Sequence, residues 1–266
     1  MRFLLLILLL TPGISQNKTI ELNNVLDGTF RTSGIGGYNW VNGEDAYYFS
    51  KKDSSAMNFF KYNIASDDTT KTFSIEAEKI NQFSYTFSSD QTKLLLKTNT
   101  IRLWRHSSYG TYYVYDIQSE SLKPVSNNSD RLRNVKFSPD SKHVAYVRED
   151  NNLYLYTLET SQESQLTFDG SDTILNGHFG WVYEEEFGNY DAYRWSPNSQ
   201  YISFFREDQS MVRKYPLIDY ETKYPTIKYI YYPKAGEDNP EISIGLIDIV
   251  HQTSSIRDLP QDTYYV

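Results

Sequence analysis

The sequence predicts an all-β protein: a partial β-propeller of about three to four blades, each a four-stranded antiparallel sheet. Two observations support this prediction. The 266 residues include 24 Tyr, 14 Phe and 4 Trp, and such residues favour strands because their rings pack on a pleated surface. In addition, one short pattern of strand, turn and strand recurs along the chain, which is typical of repeat architectures.

The repeated pattern consists of an aromatic strand end, a turn of Ser-Pro-Asp type and a following apolar strand. Its copies begin at positions 40, 87, 137 and 195, so they lie 47, 50 and 58 residues apart. Pro fixes φ, and Asp or Asn caps the turn through its side chain. Second strands are predicted at 58–64, 112–117, 153–158 and 242–249, and a third strand at 164–167. Four short strands per repeat indicate a propeller blade, whereas a β-sandwich would not repeat this order.

Charge and cysteine content limit the partners and the chemistry. The formal net charge is −8 and the pI about 5.1, which argues against nucleic acid as a partner because phosphate binding needs clustered Lys and Arg. The chain has no Cys, and its four His are scattered without metal-ligand spacing. No phosphate-binding glycine loop is present. The sequence therefore predicts neither a metal nor another cofactor.

The N-terminus predicts secretion. A positive start, an unbroken apolar run of eight residues and a small-residue stretch ending at Ser15 indicate a cleaved signal peptide over 1–15. The run is far shorter than the roughly 20 residues that span a bilayer, so no membrane span is expected. N-glycosylation sequons begin at Asn17 and Asn127. We therefore expect residues 16–266 to form a secreted, glycosylated propeller portion.

The most distinctive local feature is a run of three acids, Glu184 to Glu186, which follows an aromatic segment within the longest interval between repeats. One interpretation is a solvated helix turn. The other is a site that binds a cation, because adjacent carboxylates repel each other and a peptide's terminal ammonium would compensate their charge. A second feature is Arg105, which stands between a Trp and a His and could stack on a ring or pair with an acid.

Four strings of the sequence, taken together, indicate a family. They are Trp-Arg-His-Ser from Trp104, Trp-Val-Tyr-Glu-Glu-Glu from Trp181, Tyr-Arg-Trp-Ser-Pro-Asn from Tyr193 and Tyr-Pro-Lys-Ala-Gly-Glu-Asp-Asn-Pro from Tyr232. In this order they resemble the dipeptidyl peptidase IV and fibroblast activation protein family of prolyl oligopeptidase-type serine peptidases. The resemblance implies an eight-bladed propeller that caps an α/β-hydrolase domain. It also implies removal of dipeptides from N-termini, usually after Pro or Ala.

The resemblance further implies which residues bind the substrate. Glu185 and Glu186 correspond to the acids that bind the free ammonium of the peptide. Arg105 corresponds to the residue that reaches a substrate carbonyl and braces these acids, while Glu184 is interpreted as structural. Such a pair of carboxylates at a fixed distance from the nucleophile would present only the second peptide bond for attack.

The chain also departs from the family's pattern. Gly180 stands where relatives usually carry Asp, and the stretch 186–195 is one residue shorter than in close relatives, which affects the geometry after the acids. No Gly-x-Ser-x-Gly elbow occurs, and the His have no Ser and Asp partners in triad order. We therefore predict no catalytic residue and expect the hydrolase domain to be absent from this chain, which would be a fragment or a short form of an incomplete propeller.

Two functions stay open. The chain is either the propeller portion of a secreted dipeptidyl peptidase, with the plasma membrane as the alternative location, or a secreted propeller without enzymatic activity that binds peptides or protein partners. Relatives dimerise, so a homodimer is expected of a full-length form. Further coding sequence with a Gly-x-Ser-x-Gly elbow would favour the peptidase.

Overall fold

The structure is a computed structural model that describes residues 19–31, 37–126, 131–251 and 253–258. The chain divides at Gly37 into two compact units. The described part of the first unit contains the short helix α1 (Leu22–Leu26). The predicted signal peptide and both glycosylation sites, Asn17 and Asn127, lie outside the described residues.

Three four-stranded antiparallel blades open the second unit, and in each the strands pair in chain order. The first blade comprises β1 (Asn39–Trp40), β2 (Ala46–Lys52), β3 (Ala56–Asn63) and β4 (Asp68–Glu76). The second comprises β5 (Ser84–Phe87), β6 (Lys93–Arg102), β7 (Ser108–Asp116) and β8 (Leu122–Pro124). The third comprises β9 (Arg133–Phe137), β10 (His143–Val147), β11 (Leu153–Thr157) and β12 (Gln162–Gln165).

The fourth blade contains two insertions. Its first strand is interrupted, because β13 (Ile174–Asn176) and β14 (Tyr193–Trp195) both pair with β15 (Tyr201–Asp208). The helix α2 (Trp181–Phe187) lies between them in the chain. A two-stranded hairpin of β16 (Lys214–Asp219) and β17 (Thr226–Tyr231) separates β15 from β18 (Glu241–Asp248), which pairs with β19 (Thr253–Asp258). The longest interval between repeats thus holds α2.

The predicted fold is confirmed: the chain forms several four-stranded antiparallel blades of a propeller. Each aromatic residue that opens a repeat is the last residue of a strand, and the predicted second strands correspond to β3, β7, β11 and β18. The third strand differs, because β12 begins two residues before the predicted 164–167. Ser161 adopts a left-handed conformation with φ +55°, which ends the turn between β11 and β12. The next residue, Gln162, already pairs with Thr157 of β11.

The hydrophobic core lies between neighbouring blades, because alternate residues of the central strands face opposite neighbours. In β6, Leu94 and Leu96 pack with Phe59 of the first blade, whereas Leu95 packs with Val144 of the third. The third blade repeats the pattern toward the fourth, with a cluster that includes Ala145, Leu153, Tyr193, Ile202 and Phe204. The inner strands of the third blade, β10 and β11, are therefore buried on both faces.

Polar contacts between consecutive turns add to these clusters. Between consecutive repeated turns, a side chain of the later turn accepts a backbone N–H from the turn of the preceding blade. The bonds run from Asn42 to Gln91 Oε1 at 3.0 Å, from Asp90 to Ser141 Oγ at 3.2 Å and from Asp140 to Ser199 Oγ at 2.9 Å. We call Gln91, Ser141 and Ser199 the latch residues. All three have a positive φ, at 57°, 59° and 61°.

Ser141→Ala tests the latch. Ser141 is buried, so removing its hydroxyl leaves the N–H of Asp90 without this acceptor, which we expect to lower the free energy of unfolding by about 1–2 kcal/mol. Urea denaturation followed by tryptophan fluorescence measures the change. Ser161→Ala is the matched control: Ser161 is also left-handed but exposed. Equal losses in the two variants would contradict a role for the latch.

Candidate functional site

The acidic run lies on α2, whose shape separates the three carboxylates. Gly180 precedes the helix in extended conformation, and Gly188 ends it with φ +69°, its N–H bonded to the carbonyl oxygens of Tyr183 and Glu184. Successive helical residues point about 100° apart. Glu184 is therefore buried, Glu185 partly buried and Glu186 exposed. The first interpretation of this run was a solvated helix turn. It does not hold for Glu184, because that side chain is buried.

Glu184 joins the helix to a loop of the second blade. Its Oε1 accepts the backbone N–H of His106 at 2.8 Å and that of Ser107 at 2.7 Å. Both residues belong to the connection between β6 and β7. A buried carboxylate is costly unless hydrogen bonds replace its hydration, and these two donors supply such bonds. Glu184 thus has a structural position, and it fixes the loop against α2.

The same loop brings Arg105 to Glu185. Arg105 Nε donates to Glu185 Oε2 at 3.0 Å, and the Arg105 backbone N–H donates to Oε1 at 3.3 Å. The Glu185 side chain is 15% exposed and that of Arg105 is 72% exposed. Two of the predicted site residues, 80 positions apart in the sequence, are therefore in direct contact.

Glu186 lies next to this pair on the outer side of α2. It forms no ion pair with a described residue and is open to solvent. Glu185, Glu186 and Arg105 together hold two negative charges and one positive charge. This group, which we call the acidic site, is therefore left with one negative charge, so it favours a cationic ligand.

The segment after α2 is held by residues that the sequence did not indicate. Lys136 Nζ contacts Asp191 Oδ1 at 2.6 Å and donates to the Tyr193 carbonyl oxygen at 2.7 Å. Burial lowers the pKa of Lys136 to about 8, although Asp191 partly opposes that shift. The rings of His106 and Tyr190 stack at 5.9 Å. These contacts fix the stretch between α2 and β14.

The buried histidine near α2 has polar contacts on both ring nitrogens. His178 Nε2 lies 2.5 Å from Arg133 Nη2, and its Nδ1 lies 3.2 Å from the Phe179 carbonyl oxygen. Burial, and secondly the charge of Arg133, keep the pKa of His178 well below its usual range. The imidazole is therefore neutral and can accept from the guanidinium. Within the described ranges no group of three His, Cys, Asp or Glu side chains could hold a metal ion.

Substituting Glu184 tests its structural role. Glu184→Ala removes the acceptor of two backbone N–H groups, so we expect the free energy of unfolding to fall by about 2–4 kcal/mol. Glu184→Gln keeps the oxygen that accepts both bonds and should cost clearly less. Urea denaturation gives the stability, and amide hydrogen exchange at His106 and Ser107 reports the bonds directly. Unchanged exchange in Glu184→Ala would show that the carboxylate does not hold this loop.

The family model and the known proteins that match this chain are named as dipeptidyl peptidases or dipeptidyl aminopeptidases. The family model for the dipeptidyl peptidase IV (DPP IV) N-terminal region matches residues 88–266. The dipeptidyl aminopeptidase B of Saccharomyces cerevisiae is 36% identical over 190 residues, which cover 69% of this chain and 23% of that protein. The "Probable dipeptidyl-aminopeptidase B" of Talaromyces marneffei is 29% identical over 269 residues, covering 90% of this chain and 30% of that protein.

A solved structure agrees with these relatives. The crystal structure of Porphyromonas gingivalis dipeptidyl peptidase 4 superposes with a TM-score of 0.81 and 32% identity, over 93% of this chain and 36% of that one. The chain thus spans about a third or less of the length of the proteins it matches. In the described part of the chain, no helix is both long and apolar enough to cross a membrane. On the family match and the shared fold, this chain belongs to the dipeptidyl peptidase IV N-terminal region family.

Proposed function

We propose that this chain is the N-terminal propeller portion of a secreted serine exopeptidase of the dipeptidyl peptidase IV type, and that it holds the free N-terminus of peptides from which X-Pro or X-Ala dipeptides are removed. The observation that supports this proposal is the acidic site itself. Glu185 and Glu186 stand side by side on one short helix, and Arg105 is in direct contact with Glu185.

Glu185 is suited to bind an ammonium group. Its side chain is mostly buried, so solvent screens its charge less than it would screen an exposed acid. Arg105 uses one hydrogen bond to each Glu185 oxygen, which leaves further lone pairs on both oxygens. The carboxylate is thus held in one orientation and can still accept from a ligand.

Glu186 supplies the second carboxylate and the unbalanced charge. A peptide's terminal ammonium has three donors and one positive charge, so it can bond both carboxylates and bring the acidic site to neutrality. An N-acetylated peptide has neither the charge nor the donors. The arrangement therefore selects free N-termini, as an enzyme that removes N-terminal dipeptides must.

Glu185→Gln and Glu186→Gln test this role in a catalytically active form of the protein that includes this chain. We expect each to lower kcat/KM for Ala-Pro-p-nitroanilide by about 10- to 150-fold, which corresponds to a lost charged hydrogen bond of about 1.5–3 kcal/mol. Glu184→Gln should have a smaller effect. Glu120→Gln, a change at an acid whose side chain is 68% exposed, is the matched control. Turnover by Glu185→Gln and Glu186→Gln equal to that of Glu120→Gln would refute the assignment.

We propose that the chain is exported, with cleavage after Ser15 and glycans at Asn17 and Asn127. The support is the sequence pattern of the first fifteen residues and the two sequons. Expression in a eukaryotic secretory host should yield protein in the medium that begins at Gln16 and shifts in mass on treatment with an endoglycosidase. Protein retained in cells with Met1 at its N-terminus would contradict export.

We also propose that the hairpin of β16 and β17 mediates homodimerisation of a longer form. An isolated two-stranded hairpin is only marginally stable in water. This hairpin exposes large apolar side chains, among them Leu217, Ile218, Tyr220, Tyr224, Ile227 and Tyr229. Both of its edges lack a further strand in the described structure. A second copy could cover the same face by two-fold symmetry.

Charge placed on this face should prevent the dimer. Ile218 and Ile227 are cross-strand partners and both are exposed, so the double variant Ile218→Asp with Ile227→Asp should sediment as a monomer in analytical ultracentrifugation. Ile256→Asp is the matched control, because Ile256 is similarly exposed on β19. A dimer that persists in the double variant would exclude the hairpin as its interface.

A further inference from the structure

A buried acid lies behind the start of α2. Glu207 belongs to β15 and is 1% exposed. Its cross-strand partners are Leu175 on β13 and Ile242 on β18, both apolar and buried. A carboxylate in such surroundings is costly. Its presence on a central strand therefore calls for a specific role.

The carboxylate of Glu207 is bonded to the residue that precedes the helix. The Gly180 N–H donates to Glu207 Oε2 at 2.8 Å, and no other hydrogen bond to this side chain is found among the described residues. Gly180 is the N-cap of α2, and the helix has no side-chain cap of its own. The strand thus supplies a carboxylate at the point where α2 begins.

Space rather than conformation favours Gly at position 180. Its φ of −78° and ψ of −173° are extended and open to any residue. A Cβ at this position, however, would lie 2.7 Å from Glu207 Oε1 and 3.1 Å from Gln209 Oε1, which is too close. The Glu207 carboxylate therefore occupies the space that the side chain of a capping residue at position 180 would need.

We propose that Glu207 is a positioning residue for α2: from the neighbouring strand it accepts the N–H of the N-cap residue Gly180, as the third-residue acid of a capping box does, and so fixes where Glu185 and Glu186 lie. The contact between Gly180 and Glu207 does not depend on any reaction that the protein catalyses. Its effect on substrate binding rests on the function proposed above.

The ionisation of Glu207 provides an independent measure of its burial behind α2. Burial raises the pKa of Glu207 from 4.5 to about 7, and the Gly180 N–H only partly opposes that shift. The folded state therefore binds the proton more tightly than the unfolded state. Stability is gained below about pH 4.5 and is lost as the pH rises through about 7.

No charged side chain in the described ranges balances Glu207. Its neighbours along β15, Arg206 and Asp208, point to the opposite face of the strand, where Arg206 pairs with Asp169. On α2, Glu184 is bonded to the loop of the second blade. The neutral His178, before the helix, faces Arg133. The cross-strand neighbours on β13 and β18 are apolar.

A double-mutant cycle tests the pairing in the 266-residue chain. Gly180→Asp places a second carboxyl against Glu207, and Glu207→Ala leaves the Gly180 N–H without its acceptor, so each should lower the Tm. Combined, Asp fills the vacated space in a conformation suited to an N-cap. We expect the double variant to recover most of the loss and to exceed both single variants. Additive losses would overturn the proposal.

If Glu207→Ala does not fold, Glu207→Gln provides a second test. Gln retains an acceptor for Gly180 but cannot ionise, so we expect its Tm to match the parent's near pH 4.5 and to exceed it by roughly 3–8 °C at pH 8. Glu120→Gln, at an exposed acid, should show no such trend. A Tm difference that does not change with pH would also overturn the proposal.

Kinetics separate positioning from general stability. In a catalytically active form, Glu207→Ala should raise KM for Ala-Pro-p-nitroanilide several-fold with a smaller change in kcat, and adding Gly180→Asp should restore KM. A loss confined to kcat, without restoration, would indicate a merely structural residue. If Glu185→Gln left turnover unchanged, the proposed function would fail, whereas the Tm cycle would still decide the pairing of Glu207 with Gly180.

Discussion

The acidic site depends on one buried carboxylate, that of Glu184. Its oxygen binds two consecutive backbone N–H groups of a loop in the second blade, while its own helix is inserted in the fourth blade. The helix of the fourth blade and the loop of the second blade are therefore in direct contact, although the third blade lies between them in the chain. Two hydrogen bonds to the buried Glu184 carboxylate set their relative position. Because Arg105 precedes this pair of donors in the same loop, its contact with Glu185 follows from the bonds of Glu184.

The repeated blades supply the rigidity that such a contact needs. Hydrophobic clusters join each of the second and third blades to both of its neighbours. The latch residues join successive turns outside those clusters. A displacement of one blade would disturb apolar packing and hydrogen bonds at the same time. The site itself is built from a loop and an insertion, elements that vary without disturbing the strands.

Two charged groups around α2 are buried or partly buried, and each has a specific partner. Lys136 is bonded to Asp191 and to a carbonyl oxygen, and Glu207 to the N–H of Gly180. The burial of these two groups costs stability. The contact of Glu207 fixes the chain just before the helix, and the contacts of Lys136 fix it just after the helix. These contacts orient the acids in advance, which the proposed binding of an ammonium group would require.

The sequence by itself determined the blades and the presence of an acidic run. Blade boundaries follow from local signals, namely the aromatic strand ends, the Ser-Pro-Asp turns and the alternation of residues along each strand, and the strands formed where these signals lie. The resemblance of short strings brought Arg105, Glu185 and Glu186 together as candidates. Nothing in the order of residues could show which of the three acids is buried.

Only the tertiary structure decided how the site is held. Glu184 and its two donors are separated by more than seventy residues, and Glu207 lies 27 residues after Gly180. In the sequence Glu207 is one acid in a strand, with no periodic or turn signal to distinguish it. From the sequence alone, Gly180 is only a position where the family's usual Asp is absent. The structure shows that the carboxylate of Glu207 bonds to its N–H. Such contacts depend on how whole blades pack, which local patterns do not encode.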